Sequence, residues 1–404
     1  MRIALIADTF PPLRTSGAVQ LRDLAREFVR QGHELTVLLP SSEIAGKWAI
    51  EDFDGARVIR LKAPKTKDIG YVRRTIGEFM MPFAMLRNLR RSPLAGERWD
   101  GVVWYAPTIF LGPIASALKK ASGCRGYLII RDIFPEWAVD MGLMGRGLPY
   151  RFFDAVARYQ YSVADVIGVQ TPGNKGYFAQ WIKRPGRRLE VLQNWLGAPA
   201  DAPSTIVVGE TALAGRKVFV YAGNMGVAQG MGVLLDLAER LRSRADVGFL
   251  FVGRGSDAQR LREDARTRGL DNVVFRDEIH PDEIPNLYAQ CHIGLVALDP
   301  RHRTHNIPGK FLTYMQSGLP VLASVNAGND LVGLIEQERV GRAVTDASAE
   351  SLARAAVELV DAVLADAGFA ERCKGLSARL FSAETAVRQI VTALQNPAAA
   401  DHPL

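Results

Sequence analysis

Cysteine is scarce in this sequence, because its 404 residues include only Cys124, Cys291 and Cys373. The three are scattered and odd in number, so they predict neither a disulfide framework nor a metal site, and they fit a reducing cytosol. Long apolar runs are also missing, since none reaches the roughly 20 residues that a membrane-spanning helix needs. The apolar start, residues 1–7, is followed by no signal-peptide cleavage pattern. We therefore expect a cytoplasmic protein without a membrane span.

Positive charge is concentrated in one segment. The whole chain carries a formal net charge of +7, and residues 56–99 alone hold a larger positive excess. Within them lies the apolar run 79–86. Apolar side chains beside a basic cluster suit an anionic membrane, so residues 56–99 predict peripheral contact with the inner face of the cell membrane. The alternative is a solvated basic face over a core helix. Nucleic acid is not expected as a partner, because the aromatic residues here form no base-stacking pattern.

The same order of elements occurs twice along the chain. Residues 2–39 read as strand, loop, helix and strand, and residues 217–252 repeat that order. This is the βαβ unit of a parallel, doubly wound sheet. Proline, alanine and glycine are frequent between the two halves, as in an interdomain linker. We predict two Rossmann-like α/β domains at 1–195 and 217–375, a linker at 196–216, and a C-terminal helix with its tail at 376–404 that packs on the first domain.

The glycine-rich loop Gly223–Gly230 is the strongest local signal in the sequence. It lies between a strand and a helix, where backbone N–H groups and the positive end of the helix can receive a phosphate. Asn224 and Gln229 could add neutral donors. The alternative is a tight turn whose glycines serve packing only, and a glycine-rich turn by itself does not decide between them.

A second loop of this type precedes the helix 311–318. It is Asn306–Lys310, and Lys310 in the first helical turn would complement a diphosphate. The alternative is an ordinary surface lysine. Two loops of phosphate-binding type in one half of the chain favour the functional interpretation.

A third candidate follows the apolar strand 127–130. Ligands of open α/β sheets bind at the carboxyl ends of strands. Asp132 and Glu136 could therefore serve as acid/base groups or as partners of substrate hydroxyls. The alternative is that Asp132 caps a short helix and Glu136 is solvated.

Other patterns argue against a nicotinamide cofactor or a metal. The segment 253–255 resembles the start of a dinucleotide fingerprint, but its third glycine is missing. The triplet 52–54 has no supporting metal ligands and reads as a turn. No metal-ligand spacing connects the candidate histidines His280, His292, His302 and His305.

Three segments, in this order, make the chain similar to the retaining GT-B glycosyltransferases of family 4. They are an Asp-x-x-Pro-Glu segment at 132–136, a Gly-Asn-x-Gly-x-x-Gln-Gly loop at 223–230 and a Pro-x-Lys-x-x-x-Tyr-Met-x-x-Gly-x-Pro run at 308–320. Within the family they most resemble the branch of bacterial N-acetylfucosamine transferases of surface-polysaccharide assembly.

The resemblance implies retaining, metal-independent transfer of an N-acetylated sugar from a UDP-sugar to a lipid-linked or lipopolysaccharide acceptor. The donor would lie mainly on the C-terminal domain and the acceptor on the N-terminal domain, across a cleft. The residues implied in catalysis are Asp132, Glu136 and His305. Those implied in donor binding are Gly17, Gly223, Asn224, Gln229, Arg254, Pro308, Gly309, Lys310 and Thr313.

Two positions depart from the wider family. Many members have two glutamates eight positions apart, one at the donor sugar and one at the ribose, and these places hold His305 and Thr313 here. The departure motivates one alternative, a non-catalytic UDP-binding partner subunit. The shared architecture leaves a second alternative open, a nucleotide-sugar 2-epimerase.

Overall fold

A computed structural model of the chain describes residues 1–13, 15–67, 69–199, 201–226, 229–299 and 307–396. The chain forms two compact units. One consists of Met1–Gly197 together with the C-terminal segment that begins at Ala383, and the other spans Ala198–Ser382. Each unit is an α/β domain with its own, mainly parallel sheet. The two Rossmann-like sheets that the repeated order predicts are therefore confirmed.

The strands and helices alternate along the chain. The strands are β1 Arg2–Ile6, β2 Glu34–Ser41, β3 Trp48–Phe53, β4 Ala56–Lys62, β5 Gly101–Ala106, β6 Arg125–Ile130, β7 Val166–Val169, β8 Arg188–Val191, β9 Lys217–Ala222, β10 Val247–Val252, β11 Val273–Arg276, β12 Ile293–Ala297, β13 Val321–Ser324 and β14 Gly341–Val344. The helices are α1 Ser16–Arg30, α2 Tyr71–Leu89, α3 Gly112–Ser122, α4 Glu136–Asp140, α5 Leu148–Val163, α6 Gly232–Arg240, α7 Ala258–Thr267, α8 Ile284–Tyr288, α9 Gly309–Gln316, α10 Asp330–Glu338, α11 Ala349–Ala365, α12 Phe369–Leu380 and α13 Ala383–Gln395.

The sheet of the first unit has the strand order β3-β4-β2-β1-β5-β6-β7-β8. Neighbouring strands run parallel except β3 and β4, which form an antiparallel hairpin at one edge. The triplet 52–54 comprises the last two residues of β3 and the first residue of the hairpin turn, and Asp52 Oδ1 accepts the Gly55 N–H at 3.2 Å. The triplet therefore closes the hairpin, and only its last residue lies in the predicted turn.

Successive residues of β1 point to opposite faces of this sheet, as the strand period of two requires. Ile3 and Leu5 belong to the apolar layer that includes residues of α1 and α13. Ala4 and Ile6 belong to the opposite layer, which includes residues of α2 and α3. Because both faces are covered, the ligand-accessible part of the sheet is its carboxyl edge, where the loops that follow the strands lie.

The C-terminal helix α13 is anchored to the first unit by polar and apolar contacts. Gln389 Nε2 donates to Glu190 Oε1 and to the Val191 carbonyl, both at 2.8 Å, and the Ala383 N–H donates to the Leu196 carbonyl at 3.0 Å. On the helix, Val387 is buried in the core of this unit. The C-terminal end of the chain thus completes the first unit.

The expected boundary at residue 376 requires correction, because it lies inside α12. That helix belongs to the second unit, where the rings of Phe311 and Phe381 lie 6.0 Å apart. The segment that packs on the first unit begins at Ala383. The expected tail after Asn396 lies outside the described residues.

The sheet of the second unit is parallel, with the strand order β11-β10-β9-β12-β13-β14. The expected linker 196–216 belongs largely to this unit rather than being free. The Thr205 N–H donates to Glu283 Oε2 at 2.7 Å, and the Val208 N–H donates to Gln290 Oε1 at 2.8 Å. These contacts explain why the division between the units falls at Ala198.

Among the described residues, no helix is both long and apolar enough to cross a bilayer. The longest, α2, has 19 residues and contains the predicted apolar run. Its buried face includes Gly77, Met81, Met85 and Leu89, which recur at helical spacing. A Cβ on Gly77 would lie 2.8 Å from the backbone oxygen of Lys65, so glycine lets α2 pack closely against the chain that precedes it.

Candidate functional site

Two glycine-rich loops meet at the carboxyl edge of the second unit's sheet. They are residues 223–226 after β9 and 253–255 after β10. The Gly223 N–H donates to the Val252 carbonyl at 2.9 Å. A Cβ on Gly253, whose φ is +140, would lie 2.1 Å from the Gly223 carbonyl oxygen. Since only glycine permits such an approach, the segment that resembles a dinucleotide fingerprint is a backbone support for the first loop.

Lys310 lies against the first loop. Its Nζ is 4.5 Å from the centroid of the Tyr221 ring and 3.4 Å from Gln229 Oε1. Its Cε would be 3.7 Å from a Cβ on Gly223. The structure therefore brings together three of the donor-binding candidates, Gly223, Gln229 and Lys310. It adds Tyr221, which the sequence suggested only as a core residue of the strand.

The ammonium group of Lys310 is desolvated. Burial lowers the pKa of Lys310 from 10.5 to about 8, although the residue as a whole keeps some exposed surface. Within the described part of the chain no carboxylate lies within ion-pair distance of Nζ. A lysine in this state is still mostly protonated at neutral pH. Its unpaired charge therefore favours binding of an anion beside the loop.

The helix α9 fixes the position of this lysine. It begins at Gly309, and Pro308 at its cap supplies no side-chain acceptor for the first amides. Within the helix, the Tyr314 hydroxyl donates to the carbonyl oxygens of Val220 at 3.0 Å and Leu295 at 3.2 Å. These bonds tie α9 to two neighbouring strands. The N-terminal amides and helix dipole of α9 therefore lie beside Lys310 and add to its attraction for an anion.

The other donor-binding candidates of this unit differ in their partners. Asn224 is exposed, and its backbone carbonyl accepts the Tyr221 hydroxyl at 2.7 Å. Thr313 Oγ1 donates to the carbonyl of Gly309 one turn earlier, at 3.4 Å. Arg254 is exposed and forms an ion pair with Glu278. Because a guanidinium has five N–H donors, Arg254 could pair with a ligand while it keeps Glu278.

His305 and Asn306 lie outside the described residues, as do residues 227–228 of the glycine-rich loop. The role of His305 remains the expectation drawn from the resemblance. Among the residues that are described, no group of three or more His, Cys, Asp or Glu side chains is placed to hold a metal ion.

In the first unit, Gly17 lies in the first turn of α1, directly after the loop that follows β1. Thr15 caps this helix, and its Oγ1 accepts the Ala18 N–H at 3.3 Å. A Cβ on Gly17 would lie 3.2 Å from Thr9 Cγ2 and 3.3 Å from the Tyr105 hydroxyl oxygen. A side chain here would therefore crowd the carboxyl edge of the sheet. The placement suits an approach of ligand to the backbone, as the resemblance implies.

Asp132 and Glu136 occupy different surroundings. Asp132 is exposed just after β6. Glu136 begins α4, where its Oε1 accepts the Tyr150 hydroxyl at 2.9 Å. It also lines a cavity of about 280 Å³ whose lining does not include Asp132. The two carboxylates that we assigned together to catalysis are therefore not partners in this cavity.

Arg131 is a feature of the first unit that the sequence did not single out. Its guanidinium lies 4.3 Å from the Trp195 ring, and Nη1 donates to the Leu192 carbonyl at 3.3 Å. The side chain is buried, and burial lowers the pKa of Arg131. Nε and Nη2 have no hydrogen-bond partner among the described residues. The signal in the sequence was an arginine placed directly after an apolar strand.

Other buried polar atoms at the same edge lack partners within the described part of the chain. They are Asp8 Oδ1 after β1, and Gln170 Oε1 and Thr171 Oγ1 after β7. Buried polar groups are nearly always hydrogen-bonded in native proteins, so exceptions call for a specific reason. Their occurrence after three strands of one sheet, together with Arg131, marks this edge as a candidate ligand site.

Two carboxylates near this edge favour protonation. Burial raises the pKa of Asp8, and the charges of Lys67 and Arg74 offset this only in part. Burial likewise raises the pKa of Glu78, whose Oε1 accepts from Arg74 Nε at 2.9 Å. Carboxyl groups with raised pKa values are characteristic of sites where a proton or a ligand is handled.

Both halves of the chain match known glycosyltransferase models. The model described as "Glycosyl transferase 4-like domain" matches residues 16–195, and the one described as "Glycosyl transferases group 1" matches residues 216–362. A putative colanic acid biosynthesis glycosyl transferase of Escherichia coli (strain K12), WcaI, is 24% identical over 357 residues, which cover 83% of this chain and 86% of the relative.

Solved structures of low sequence identity have the same fold. Sucrose-phosphate synthase of Thermosynechococcus elongatus aligns with a TM-score of 0.74 at 15% identity, over 98% of both chains. HepE of Anabaena in complex with UDP and glucose aligns with a TM-score of 0.69 at 16% identity, over 97% of this chain and 99% of HepE. With two glycosyltransferase models matched in order and this fold in both units, the chain belongs to the GT-B glycosyltransferases.

Proposed function

We propose that this glycosyltransferase transfers an N-acetylated sugar from a UDP-sugar, with retention and without a metal, to a lipid-linked acceptor of bacterial surface-polysaccharide assembly. The observation that carries the donor half of the proposal is Lys310. It is a desolvated cation that pairs with no carboxylate of the described residues, in the first turn of a helix and beside a glycine-rich loop. A diphosphate supplies the negative charge that these groups lack. HepE, which was solved with UDP and glucose, shares the fold.

The same groups would assist the chemistry. When the bond between sugar and diphosphate breaks, negative charge develops on the leaving phosphate oxygens. The Lys310 ammonium and the first amides of α9 are fixed before the reaction, so they stabilise that charge without reorganising. The Tyr221 ring, 4.5 Å from Nζ, holds the ammonium in place through its electron-rich face.

A transfer assay tests the proposal. The purified chain is incubated with UDP-linked N-acetylhexosamines and lipid-diphosphate acceptors, with and without EDTA, and the product's anomeric configuration is read by NMR. We expect a retained product that is insensitive to EDTA and is lost in Lys310→Ala. Isomerised donor in the absence of acceptor would instead indicate an epimerase. Tight UDP binding without turnover, with activity restored by a second protein, would indicate a partner subunit.

The outer face of α2 supports the membrane part of the proposal. Its apolar side chains follow helical spacing on the exposed surface: Val72, Ile76, Phe79, Met80 and Phe83. Phe79 continues this surface to α5, because its ring lies 6.3 Å from that of Phe152, which is also exposed. A contiguous apolar surface of this kind is unusual on a protein that contacts only water.

Basic residues continue the same face. Arg87, Arg90 and Arg91 are exposed, and none forms an ion pair with another described residue. Apolar side chains that insert between headgroups, next to unpaired arginines, match an anionic lipid surface. Such contact would bring the first unit to the membrane where a lipid-linked acceptor resides. One chain would then bind the UDP-sugar and also reach the acceptor in the membrane.

Liposome co-sedimentation tests the membrane contact. We expect binding to vesicles that contain anionic lipid, and we expect it to weaken with added salt, because salt screens the arginines. Charge reversal of Arg87, Arg90 and Arg91 should abolish it, while reversal of the exposed Arg240 on α6 in the second unit should not. Binding that responds to neither salt nor charge reversal would contradict an electrostatic membrane surface.

A further inference from the structure

The cavity that Glu136 lines lies wholly within the first unit. Its walls are α4, α5 and the chain that follows β7. The volume is about 280 Å³, close to the lower end of the range for small-molecule sites. Neither Gly17 nor Asp132 lines it, so it is distinct from the carboxyl-edge groups described above.

Two arginines of the lining, Arg184 and Arg187, have no ion-pair partner among the described residues, whereas the third, Arg158, pairs with Asp154. Desolvation lowers the pKa of Arg187, the neighbouring charge of Arg184 lowers it further, and the charge of Asp165 offsets this in part. Arg187 donates to the carbonyls of Trp181 at 3.1 Å and Ser162 at 3.3 Å. Arg184 is exposed, and no described carboxylate lies within ion-pair distance of either guanidinium. Two neighbouring like charges favour binding of an anion, and a guanidinium pairs well with phosphate or carboxylate.

The remaining walls suit a sugar ring. Tyr177, which is 43% exposed, supplies aromatic surface, whereas the buried Trp181 ring has the Arg187 guanidinium over it at 4.8 Å. Glu136 accepts from Tyr150 and Asp154 accepts from Arg158, and the oxygens of both carboxylates can accept further bonds from hydroxyl groups. Aromatic surface with a few polar groups is the usual lining of a site that orients a small polar ligand. The cavity thus combines features for a ring, for hydroxyls and for an anion.

We infer that this cavity binds an acidic sugar, with its phosphate or carboxylate at Arg184 and Arg187 and its ring against Tyr177. Its use as a subsite for the acceptor rests on the proposed function, whereas binding of the acidic sugar does not. The subsite would place an acidic residue of a growing saccharide on the first unit. Charge would then be part of acceptor recognition.

Titration calorimetry on the full chain tests the inference with four probes: glucuronate, glucose 6-phosphate, glucose and inorganic phosphate. We expect saturable binding of one or both acidic sugars, and at least tenfold weaker binding of glucose, since charge-assisted bonds supply much of the affinity. Weak binding of inorganic phosphate would show that the ring contributes. Phosphate binding as tight as that of the acidic sugars would identify a simple anion site and overturn the assignment.

Matched variants locate the binding. Arg184→Glu should weaken acidic-sugar binding at least tenfold, and Tyr177→Ala should weaken it as well. Lys183→Glu makes the same charge change at an exposed neighbour that does not line the cavity, and it should have little effect. Thermal unfolding of each variant checks its folding. No saturable binding of either acidic sugar at tens of millimolar, or equal losses in Arg184→Glu and Lys183→Glu, would overturn the inference. UDP binding measured on the same samples reports on the proposed function separately.

Discussion

The lowered pKa of Lys310 predicts how UDP affinity should depend on pH. Desolvation brings this pKa to about 8, so the ammonium loses its proton within an accessible pH range. Only the protonated form attracts the diphosphate. We therefore expect UDP affinity to fall as the pH rises from neutrality through about 8.

The size of the effect follows from the fraction of protein that is competent to bind. If binding requires the ammonium, the apparent Kd increases in inverse proportion to the protonated fraction, which gives roughly a tenfold loss between about pH 7 and about pH 9. The phosphates of UDP are fully ionised across this range, because the second ionisation of a phosphate monoester lies near about pH 6. The expected change therefore reports on the protein.

The lowered pKa of Lys310 also makes the stability of the protein depend on pH. In the unfolded chain Lys310 keeps its ordinary pKa of 10.5, and in the folded chain the pKa is about 8. Between these values the unfolded state binds more protons, so the free energy of unfolding rises with pH across this window. The rise is at most roughly 3 kcal/mol. In Lys310→Met it should disappear, and the variant should be more stable than the parent near neutral pH.

Calorimetric titration of UDP at several pH values measures the affinity effect. Lys310→Met should bind UDP weakly at every pH, whereas Lys310→Arg should retain a charge without the inflection near 8. Lys374→Met is the matched control, because Lys374 is an exposed lysine on α12 of the same unit. The reasoning is refuted if Lys310→Met keeps the parent's affinity, or if the inflection persists in that variant.

Three further predictions concern the glycine support and the buried polar groups. Gly253→Ala should lower the free energy of unfolding by about 2 kcal/mol or more in urea titrations, because the Cβ would lie 2.1 Å from the Gly223 carbonyl; an unchanged midpoint would contradict this. The free energy of unfolding of Arg131→Met should lie within about 1 kcal/mol of the parent's value or above it, but the variant should lose transferase activity. Marked destabilisation would show that the stacking on Trp195 is mainly structural. Asp8→Asn should be more stable than the parent at neutral pH, because the raised pKa of Asp8 reflects an unfavourable buried charge. This gain in stability should vanish below the ordinary aspartate pKa of about 4. Equal stability of variant and parent at both pH values would refute this prediction.

The parts of the fold that could be predicted from the sequence depend on local periodicity. The strand–loop–helix order over 2–39 and 217–252 arises from apolar residues at strand and helix spacing, and the structure has these elements. The boundary at 376 was wrong for a related reason. Residues 369–394 are helical in pattern, and only the three-dimensional packing decides that α12 belongs with the second unit and α13 with the first.

The candidate site was predictable only where one short segment carries it. Gly223 and Lys310 stand out because each precedes or begins a helix. Tyr221 and Arg131 do not, because their importance comes from neighbours that are remote in sequence. Tyr221 matters through Lys310 on α9, and Arg131 through Trp195 after β8. Such contacts depend on which strands lie side by side, and strand order cannot be read from periodicity.

The buried polar groups at the carboxyl edge of the first sheet lower the free energy of unfolding. Each buried polar atom without a partner costs about 1–3 kcal/mol, and Asp8, Arg131, Gln170 and Thr171 all contribute such atoms among the described residues. The apolar layers on the two faces of the sheet stabilise the unit enough to tolerate this cost, although one of them also holds two buried indole N–H groups, of Trp99 and Trp104, without a partner among the described residues. Groups that destabilise the free protein, and that are held in place by surrounding structure, are available to bind a ligand without further desolvation. Because Asp8, Arg131 and the pair Gln170 and Thr171 follow three strands at the edge where α/β sheets bind ligands, the geometry favours a preorganised binding site there.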